Sequence, residues 1–227
     1  MRLSLDIVSD VVCPWCFVGK RRLERALAMR PGFRDRLVIR WRPFQLAPDM
    51  PQEGLDPRVY YARKFPDPAR RRALFSTLVG EGEAVGIRFA FDRIARLPNT
   101  FDAHRLIRWA GSAGRQDEVV EALFRAHFEE GLFIGDHAVL VDIARRAGMD
   151  ADLVAELLAG DRDAALIRQD LAAAAAMGVT GVPCFIFGGR MVLPGAQDEE
   201  TLVALFDRLE AALEQAGAQA SPPSGRR

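Results

Sequence analysis

The start of the chain carries two apolar patterns of different period. Residues Leu3–Ser9 (LSLDIVS) alternate apolar and polar side chains, which predicts a strand. From Pro14 onward, apolar residues lie on one side of a helix, and this pattern ends near Arg30–Gly32. A second strand is predicted at Leu37–Phe44 (LVIRWRPF). This order predicts two parallel strands joined by a right-handed helical crossover.

The middle of the chain has only helical periodicity, from Pro57 to Met177. Several segments begin with Asp or with Asn-Thr, which are good N-caps, and end at glycine. We therefore expect an all-helical insertion over residues 57–177, large enough to form a small domain, with its last helix packed on the sheet.

Strand patterns return in CFIFGGRMVLPG. This stretch predicts a hairpin of Cys184–Phe187 and Arg190–Leu193 around a Gly188-Gly189 turn, followed by a closing helix from Asp198. The full order is β-α-β, a helical block, then β-β-α. We predict an α/β domain formed by residues 1–56 and 178–216, interrupted by the insertion. The polar, proline-containing residues 217–227 are predicted to be a disordered tail.

Composition narrows the classes of function. The chain has 31 basic and 31 acidic side chains and no net charge, so it lacks the basic surface of a nucleic-acid or anionic-membrane binder. No apolar run is long enough for a transmembrane helix, and the N-terminus lacks the apolar run of a signal peptide. Because there are only 3 cysteines, a disulfide scaffold is not expected, and the cytoplasm is the expected compartment.

Two cysteines, Cys13 and Cys16, form a C-x-x-C at the junction of the first strand and helix. A thiolate at Cys13 would be stabilised by the helix N-terminus, and Cys16 lies one turn later on the same face. This favours a redox pair in which Cys13 is the nucleophile and Cys16 resolves the mixed disulfide. The alternatives are a zinc site, for which the chain offers no second ligand pair, a static disulfide, or two incidental core cysteines.

A second motif, GVTGVPCF, places Val182-Pro183 directly before a predicted strand. Taken alone, such a bond is trans in most proteins. The sequence resembles the thioredoxin superfamily, in which a cis-proline before the third strand packs against the C-x-x-C. The resemblance implies that Pro183 is this residue and that its neighbouring backbone pairs with the substrate.

Three motifs together, SDVVCPWCFVGK, NTFDAHRLIRWA and GVTGVPCFIFGGRMVLPGAQ, are similar to the DsbA-like oxidoreductases of the FrnE group. The resemblance implies a thioredoxin fold with a large all-helical insertion and thiol–disulfide exchange on a protein or small-molecule partner. It implies no bound cofactor, with glutathione or another thiol recycling the enzyme, and relatives of this group make a homodimer plausible.

Kappa-class glutathione transferases and 2-hydroxychromene-2-carboxylate isomerases share this fold and insertion, which makes glutathione-dependent isomerisation or transfer the alternative. They usually have Ser-Pro-Tyr where this chain has Cys13, Pro14 and Trp15, so the second cysteine favours redox chemistry. Asn99 fits both groups and does not separate them.

Four further residues have two interpretations each. The resemblance to thioredoxin-like proteins implies that Asp6 is the buried acid that relays the proton of the resolving cysteine, and the alternative is a residue on the solvent face of the strand. Trp15 either contacts substrate or packs on the insertion. His104 either acts at the active site or is an ordinary helix histidine. Cys184 is either a small core residue turned away from Pro183, or a third redox thiol or soft-metal ligand.

Overall fold

The computed structural model describes residues 2–220, with side chains described as far as residue 215. The strands are β1 (Leu3–Ser9), β2 (Leu37–Pro43), β3 (Cys184–Phe187) and β4 (Met191–Pro194). The first helices are α1 (Pro14–Ala28), α2 (Pro31–Arg34), α3 (Pro57–Lys64), α4 (Pro68–Ala84) and α5 (Phe101–Ser112). They are followed by α6 (Gln116–Phe128), α7 (His137–Arg146), α8 (Ala151–Ala159), α9 (Ala164–Ala176) and α10 (Glu199–Ala220). A 3-10 turn spans Phe91–Arg93.

The four strands form one sheet in the order β2-β1-β3-β4. The predicted parallel pairing of β1 and β2 is confirmed, and β3 is antiparallel to both β1 and β4. Alternation along β1 sends Leu5 and Ile7 to one face, where they join the large core cluster with Cys13 and Cys16. The opposite face carries a smaller cluster that includes Val8. The two faces of the sheet therefore have different neighbours.

The segment between β2 and β3 contains α3 to α9, as the periodicity predicts. Two of the predicted N-caps are confirmed: Asp67 accepts from the N–H of Ala69 at 2.8 Å, and Asp136 accepts from the N–H of Ala138 at 2.9 Å. The last of these helices, α9, packs against β2, which agrees with the expectation for the final helix of the insertion. The division of the chain into two domains stays a prediction. No helix within residues 2–220 is both long and apolar enough to cross a membrane.

The boundaries differ from prediction at the ends of elements. In the hairpin, Arg190 belongs to the turn, because its N–H donates to the carbonyl of Phe187 at 3.1 Å, and β4 starts one residue later. Gly188 and Gly189 have positive φ angles of 59° and 69°, the backbone that a tight hairpin turn requires. Helix α10 continues to Ala220, so the first four residues of the predicted tail are helical, and residues 221–227 lie outside the described part.

The outer edge of β2 is covered locally by a side chain. The amide of Gln116, at the start of α6, accepts from the N–H of Trp41 at 2.9 Å and donates to its carbonyl at 3.4 Å. The Trp41 indole also donates to Asp117 at 3.1 Å. The helical segment is thereby fixed to the edge of the sheet.

Candidate active site

The C-x-x-C is held by a tight turn between β1 and α1. The N–H of Cys13 donates to the carbonyl of Asp10 at 3.0 Å, and the carbonyl of Cys13 accepts from the N–H of Cys16 at 3.0 Å. Cys13 is the capping residue of α1 and has extended backbone, with Pro14 in the first helical position. This places the Cys13 thiol at the positive end of the helix, where a thiolate is favoured.

The segment before β3 lies against Cys13. The Sγ of Cys13 is 3.6 Å from the carbonyl oxygen of Val182, and the Val182–Pro183 peptide bond is cis, the isomer that the resemblance implies. On the α1 side, Gly19 makes room for the proline ring, because a Cβ there would be 3.0 Å from Cγ of Pro183. The C-x-x-C and the Val182–Pro183 segment, which are far apart in the sequence, therefore lie side by side in the fold.

Cys16 is the more protected thiol of the pair, with 1% exposure against 5% for Cys13. Burial raises the pKa of Cys16 well above its usual value, and its hydrogen bond to Cys13 and the negative charge on Cys13 raise it further. The Ser9 side chain and the Asp10 main chain act in the opposite direction, since they stabilise the thiolate of Cys16. Cys16 therefore holds its proton in the reduced protein.

A group of buried polar side chains lies around Asp10, just before the C-x-x-C, and we call it the cysteine-side cluster: Ser9, Asp10, His104 and His127. Asp10 accepts from the N–H of Leu46 at 2.8 Å through Oδ2, and its Oδ1 is 3.5 Å from Nε2 of His104. Within the described residues, Ser9 Oγ, Asp10 Oδ1 and His127 Nδ1 are buried and have no hydrogen-bond partner. Buried polar atoms without partners are rare in folded proteins and often mark functional positions.

His127 is the member of this cluster that sequence reasoning missed. It is 1% exposed on α6, and burial lowers its pKa to about 4, although the Asp10 carboxylate and a hydrogen bond to the Leu132 backbone oppose the change. The side chain is therefore neutral at pH 7. Nothing in the spacing of His127 indicates this position, because only the packing of α6 against the sheet brings it near Asp10.

His104 was predicted either to act at the active site or to be an ordinary helix histidine. It is 3% exposed, its Nε2 lies 2.8 Å from the carbonyl oxygen of Phe44, and it faces Asp10. It thus belongs to the same buried cluster, with its ring held between Phe44 and Asp10.

A second polar group lies between β2 and β3, and we call it the helical cluster: buried Asp102 and Arg105, with the more exposed Gln52 and His137 at its edge. Asp102 accepts from Arg105 at 2.8 Å, from His137 at 2.9 Å and from Gln52 at 3.1 Å. Arg105 also donates to three backbone carbonyls, those of Arg162, Leu157 and Gly160. Burial raises the pKa of Asp102, but the bonds from Arg105 and His137 outweigh it and hold the pKa below its usual value.

Asp6 does not lie beneath Cys16. Its carboxylate accepts from Nε of Arg40 at 3.0 Å and from Nε of Arg42 at 2.8 Å, both on β2. Since Leu5 and Ile7 face the core cluster that contains the cysteines, Asp6 points to the other side of the sheet. The structure favours the second interpretation, a residue on the outer face, and gives Asp6 no contact for proton relay to Cys16.

The remaining predicted residues have structural contacts. Trp15 is half-buried and packs on the core cluster. Asn99 donates to the carbonyl of Met50 at 2.6 Å and accepts from the N–H of Phe101 at 2.9 Å, so it anchors the start of α5. Cys184 is 2% exposed on the opposite face of the sheet from Cys13, as strand alternation predicts, and burial raises its pKa.

No group of three or more His, Cys, Asp or Glu side chains within residues 2–220 has the arrangement of a metal site. The interpretation of Cys184 as a soft-metal ligand together with Cys13 and Cys16 therefore has no geometric support. Packing against Val8 and Ile186 is the contact that Cys184 makes.

The sheet order, the C-x-x-C at the N-terminus of α1 and the cis-proline before β3 define a thioredoxin fold. A family profile described as "DSBA-like thioredoxin domain" matches residues 4–207. The chain therefore belongs to the family of DsbA-like thioredoxin domains, whose members are thiol–disulfide oxidoreductases.

Three solved structures illustrate the similarity. A probable DsbA oxidoreductase from Streptomyces coelicolor is 31% identical with a TM-score of 0.81, and the match covers 99% of this chain and 94% of that one. A 2-hydroxychromene-2-carboxylate isomerase is 18% identical with a TM-score of 0.68, covering 96% and 100% of the two chains. The cytosolic disulfide reductase DsbM from Pseudomonas aeruginosa is 20% identical with a TM-score of 0.61, covering 96% and 100%. The last two likenesses concern the fold alone.

Proposed function

We propose that this protein is a thiol–disulfide oxidoreductase that works by dithiol–disulfide exchange through Cys13 and Cys16. The observation that carries the proposal is the position of the Cys13 thiol, at the N-terminus of α1 and 3.6 Å from the carbonyl oxygen of Val182. Pro183 follows directly and shapes the groove in which a substrate chain would lie. The burial of Cys16, which raises its pKa, supports its assignment as the resolving cysteine.

In the first step, the Cys13 thiolate attacks one sulfur of a substrate disulfide. A bond forms between Cys13 and that sulfur, and the other substrate sulfur leaves as a thiolate that takes up a proton from water. The N-terminal end of α1 stabilises the attacking thiolate without a metal or organic cofactor.

In the second step, Cys16 resolves the mixed disulfide. Its thiol loses its proton and attacks the Cys13 sulfur, which releases the second substrate thiolate and leaves a disulfide between Cys13 and Cys16. The Ser9 hydroxyl and the Asp10 main chain favour the Cys16 thiolate as it forms. The substrate gains two electrons and the protein loses two, and the reverse sequence oxidises a dithiol substrate.

A cytoplasmic location belongs to this proposal, as does glutathione or another thiol as the reductant that recycles the enzyme. The partner would be a protein or a small molecule that carries a thiol or disulfide. The direction of net reaction depends on the reduction potential of the Cys13–Cys16 pair relative to the compartment.

The test is to trap the intermediate. Cys16→Ala should accumulate a mixed disulfide on Cys13, detected by non-reducing mass analysis of the full chain purified from its host. Cys184→Ala is the matched control, because it removes a buried cysteine of the opposite face and should trap nothing. A protein adduct on Cys13 supports dithiol exchange.

Two other results would redirect or refute the proposal. Glutathione as the sole adduct, together with activity that survives Cys16→Ala, would support a glutathione-dependent isomerase or transferase instead. A Cys13 thiol that forms no adduct and resists alkylation at neutral pH would contradict both enzymatic functions.

A further inference from the structure

A cavity of about 420 Å³ opens in the helical segment, bordered by α3, α4 and the turn at Phe91–Arg93. One wall is aromatic: the rings of Tyr61 and Phe75 meet edge to face at 5.1 Å, and those of Phe75 and Phe91 at 4.9 Å. Its volume is in the range that small-molecule sites occupy in proteins. We call it the arginine cavity, after the residues of its second wall.

The second wall is positively charged. Arg58, Arg71 and Arg72 line the cavity against a single acid, Asp92. Arg58 is paired with Asp56 at 3.1 Å, whereas Arg71 and Arg72 have no ion-pair partner within the described residues. Arg71 donates to the carbonyl of Phe65 at 3.1 Å, which orients its guanidinium. The cavity therefore has an excess of positive charge that the protein does not neutralise.

Two lining residues connect the arginine cavity to the core that contains the reactive cysteine. Tyr61 lines it, and packs against the core cluster that contains Cys13. Burial raises the pKa of the Tyr61 phenol above its usual value, and the charges of Tyr60 and Cys13 raise it further, so the phenol lies within electrostatic reach of Cys13. Ile94 also belongs both to the cavity lining and to that core cluster.

We propose that the arginine cavity binds the carboxylate-bearing part of a small disulfide whose sulfur reacts with Cys13. The inference rests on the proposed thiol–disulfide exchange and adds the class of substrate. Guanidinium groups pair with carboxylates through two parallel N–H bonds, and the aromatic wall accepts the apolar part of the same molecule. A neutral disulfide would use the aromatic wall alone.

The reaction is balanced without a further reagent. The Cys13 thiolate attacks R–S–S–R to give Cys13–S–S–R and R–S⁻, and Cys16 then displaces the second R–S⁻. The disulfide gains the two electrons that Cys13 and Cys16 lose. The two cysteine protons, exchanged through water, are available to the two released thiolates.

The experiment compares two chromogenic disulfides on the reduced, full-length protein at fixed ionic strength. The anionic probe is 5,5′-dithiobis(2-nitrobenzoate), which has a carboxylate on each ring, and the neutral probe is 4,4′-dithiodipyridine. Stopped-flow absorbance gives the rate constant for each. We expect the Arg71→Gln/Arg72→Gln variant to react at least tenfold more slowly with the anionic probe and within about twofold of the original rate with the neutral probe, since a lost charge-assisted pair is worth about a factor of ten.

The matched control is Arg63→Gln/Arg70→Gln, which removes the same charge from α3 and α4 at exposed positions that do not line the cavity. It should change both rates by less than about twofold. Arg72→Gln alone, at an exposed position, provides a folded variant if the double substitution disturbs α4.

Three results would overturn the inference. The first is an equal loss with both probes in the Arg71→Gln/Arg72→Gln variant, and the second is no loss with either. The third is the same selective loss in the control variant, which would indicate a general charge effect. An original protein whose Cys13 reacts with neither probe would instead refute the proposed function itself, so the two failures are distinguishable.

Discussion

The cysteine-side cluster and the helical cluster each place a histidine beside a buried aspartate, yet they differ in how their polar atoms are satisfied. In the helical cluster, Asp102 accepts three side-chain hydrogen bonds, and Arg105 donates to three backbone carbonyls. In the cysteine-side cluster, three buried polar atoms have no partner within residues 2–220. A satisfied network stabilises a fold, whereas a partly satisfied one is retained where it serves the site.

The largest effect we expect is on stability, at the helical cluster. Arg105→Ala should lower the free energy of unfolding by about 3–5 kcal/mol, because it removes the positive charge paired with the buried Asp102 carboxylate and the donor of three backbone carbonyls. Urea unfolding measures this change in the free energy of unfolding. The control is Arg108→Ala on the same helix, whose pair with Asp170 is half-exposed and should be worth at most about 1 kcal/mol. Equal losses in the two variants would show that Arg105 contributes no more stability than a half-exposed ion pair.

The second effect depends on pH and comes from the cysteine-side cluster. His127 has a folded-state pKa of about 4, below its unfolded value, so the unfolded chain binds the extra proton as pH falls. Stability should decrease from about pH 6.5 to pH 4, by about 3 kcal/mol in total. His127→Leu should flatten this range, as measured by unfolding at each pH.

Protonation of the helical cluster should lower the stability of the protein over a different pH range. Asp102 has a lowered pKa in the folded state, so its contribution is present above the unfolded pKa of a carboxyl group and is lost as pH falls through its folded value. The loss below pH 4 should therefore persist in His127→Leu. A variant that still loses stability between pH 6.5 and pH 4 would show that His127 is not the titrating group.

The third effect is on the reaction. Ser9→Ala should slow the resolution of the mixed disulfide by about tenfold, the value of one hydrogen bond to a charged group, because Ser9 favours the Cys16 thiolate. Its effect on stability should be small, since the hydroxyl has no hydrogen-bond partner in the described residues and acts only on the thiolate as it forms. Rapid-quench kinetics with a preformed mixed disulfide separates this step from the attack by Cys13. A slowed first step with an unchanged second step would contradict the assignment.

The smallest effect should come from packing. Gly19→Ala would place a Cβ 3.0 Å from Cγ of Pro183, so the proline must shift by a few tenths of an ångström. We expect a two- to threefold lower rate of exchange with about 1 kcal/mol or less of lost stability. Gly80→Ala on α4 has open space around its Cβ and should instead stabilise by about 0.5–1 kcal/mol. An unaffected rate in Gly19→Ala would show that the Pro183 position tolerates movement.

Local signals were sufficient for the strands, the first helix and the cysteine pair. The β1 span and the β3 span match their patterns, because alternation and flanking turns determine both. The C-x-x-C could be assigned to a helix N-terminus because Pro14 follows Cys13 directly. The role of Pro183 came from resemblance, since a Val-Pro pair alone does not indicate its isomer.

The buried surroundings of the cysteines could not be predicted in the same way. His127 reaches Asp10 only through the packing of α6, and no local pattern reports that contact. Proton relay is one of the two roles predicted for Asp6, because an acid at this strand position resembles that of thioredoxin-like proteins. In the structure, however, the parallel register of β1 and β2 places Arg40 beside Asp6. Arg40 and Arg42 alternate along β2 and therefore lie on one face of the sheet. This spacing was the signal in the sequence for basic partners of Asp6.

The amide of Gln116 bears on how this protein avoids aggregation. By bonding both the N–H and the carbonyl of Trp41, it occupies the position that a neighbouring strand would take on the free side of β2. An intruding chain would have to displace Gln116 before it could extend the sheet there. The helical segment thus protects the sheet against unwanted pairing at one edge, while the other edge, β4, leaves Met191 and Val192 exposed.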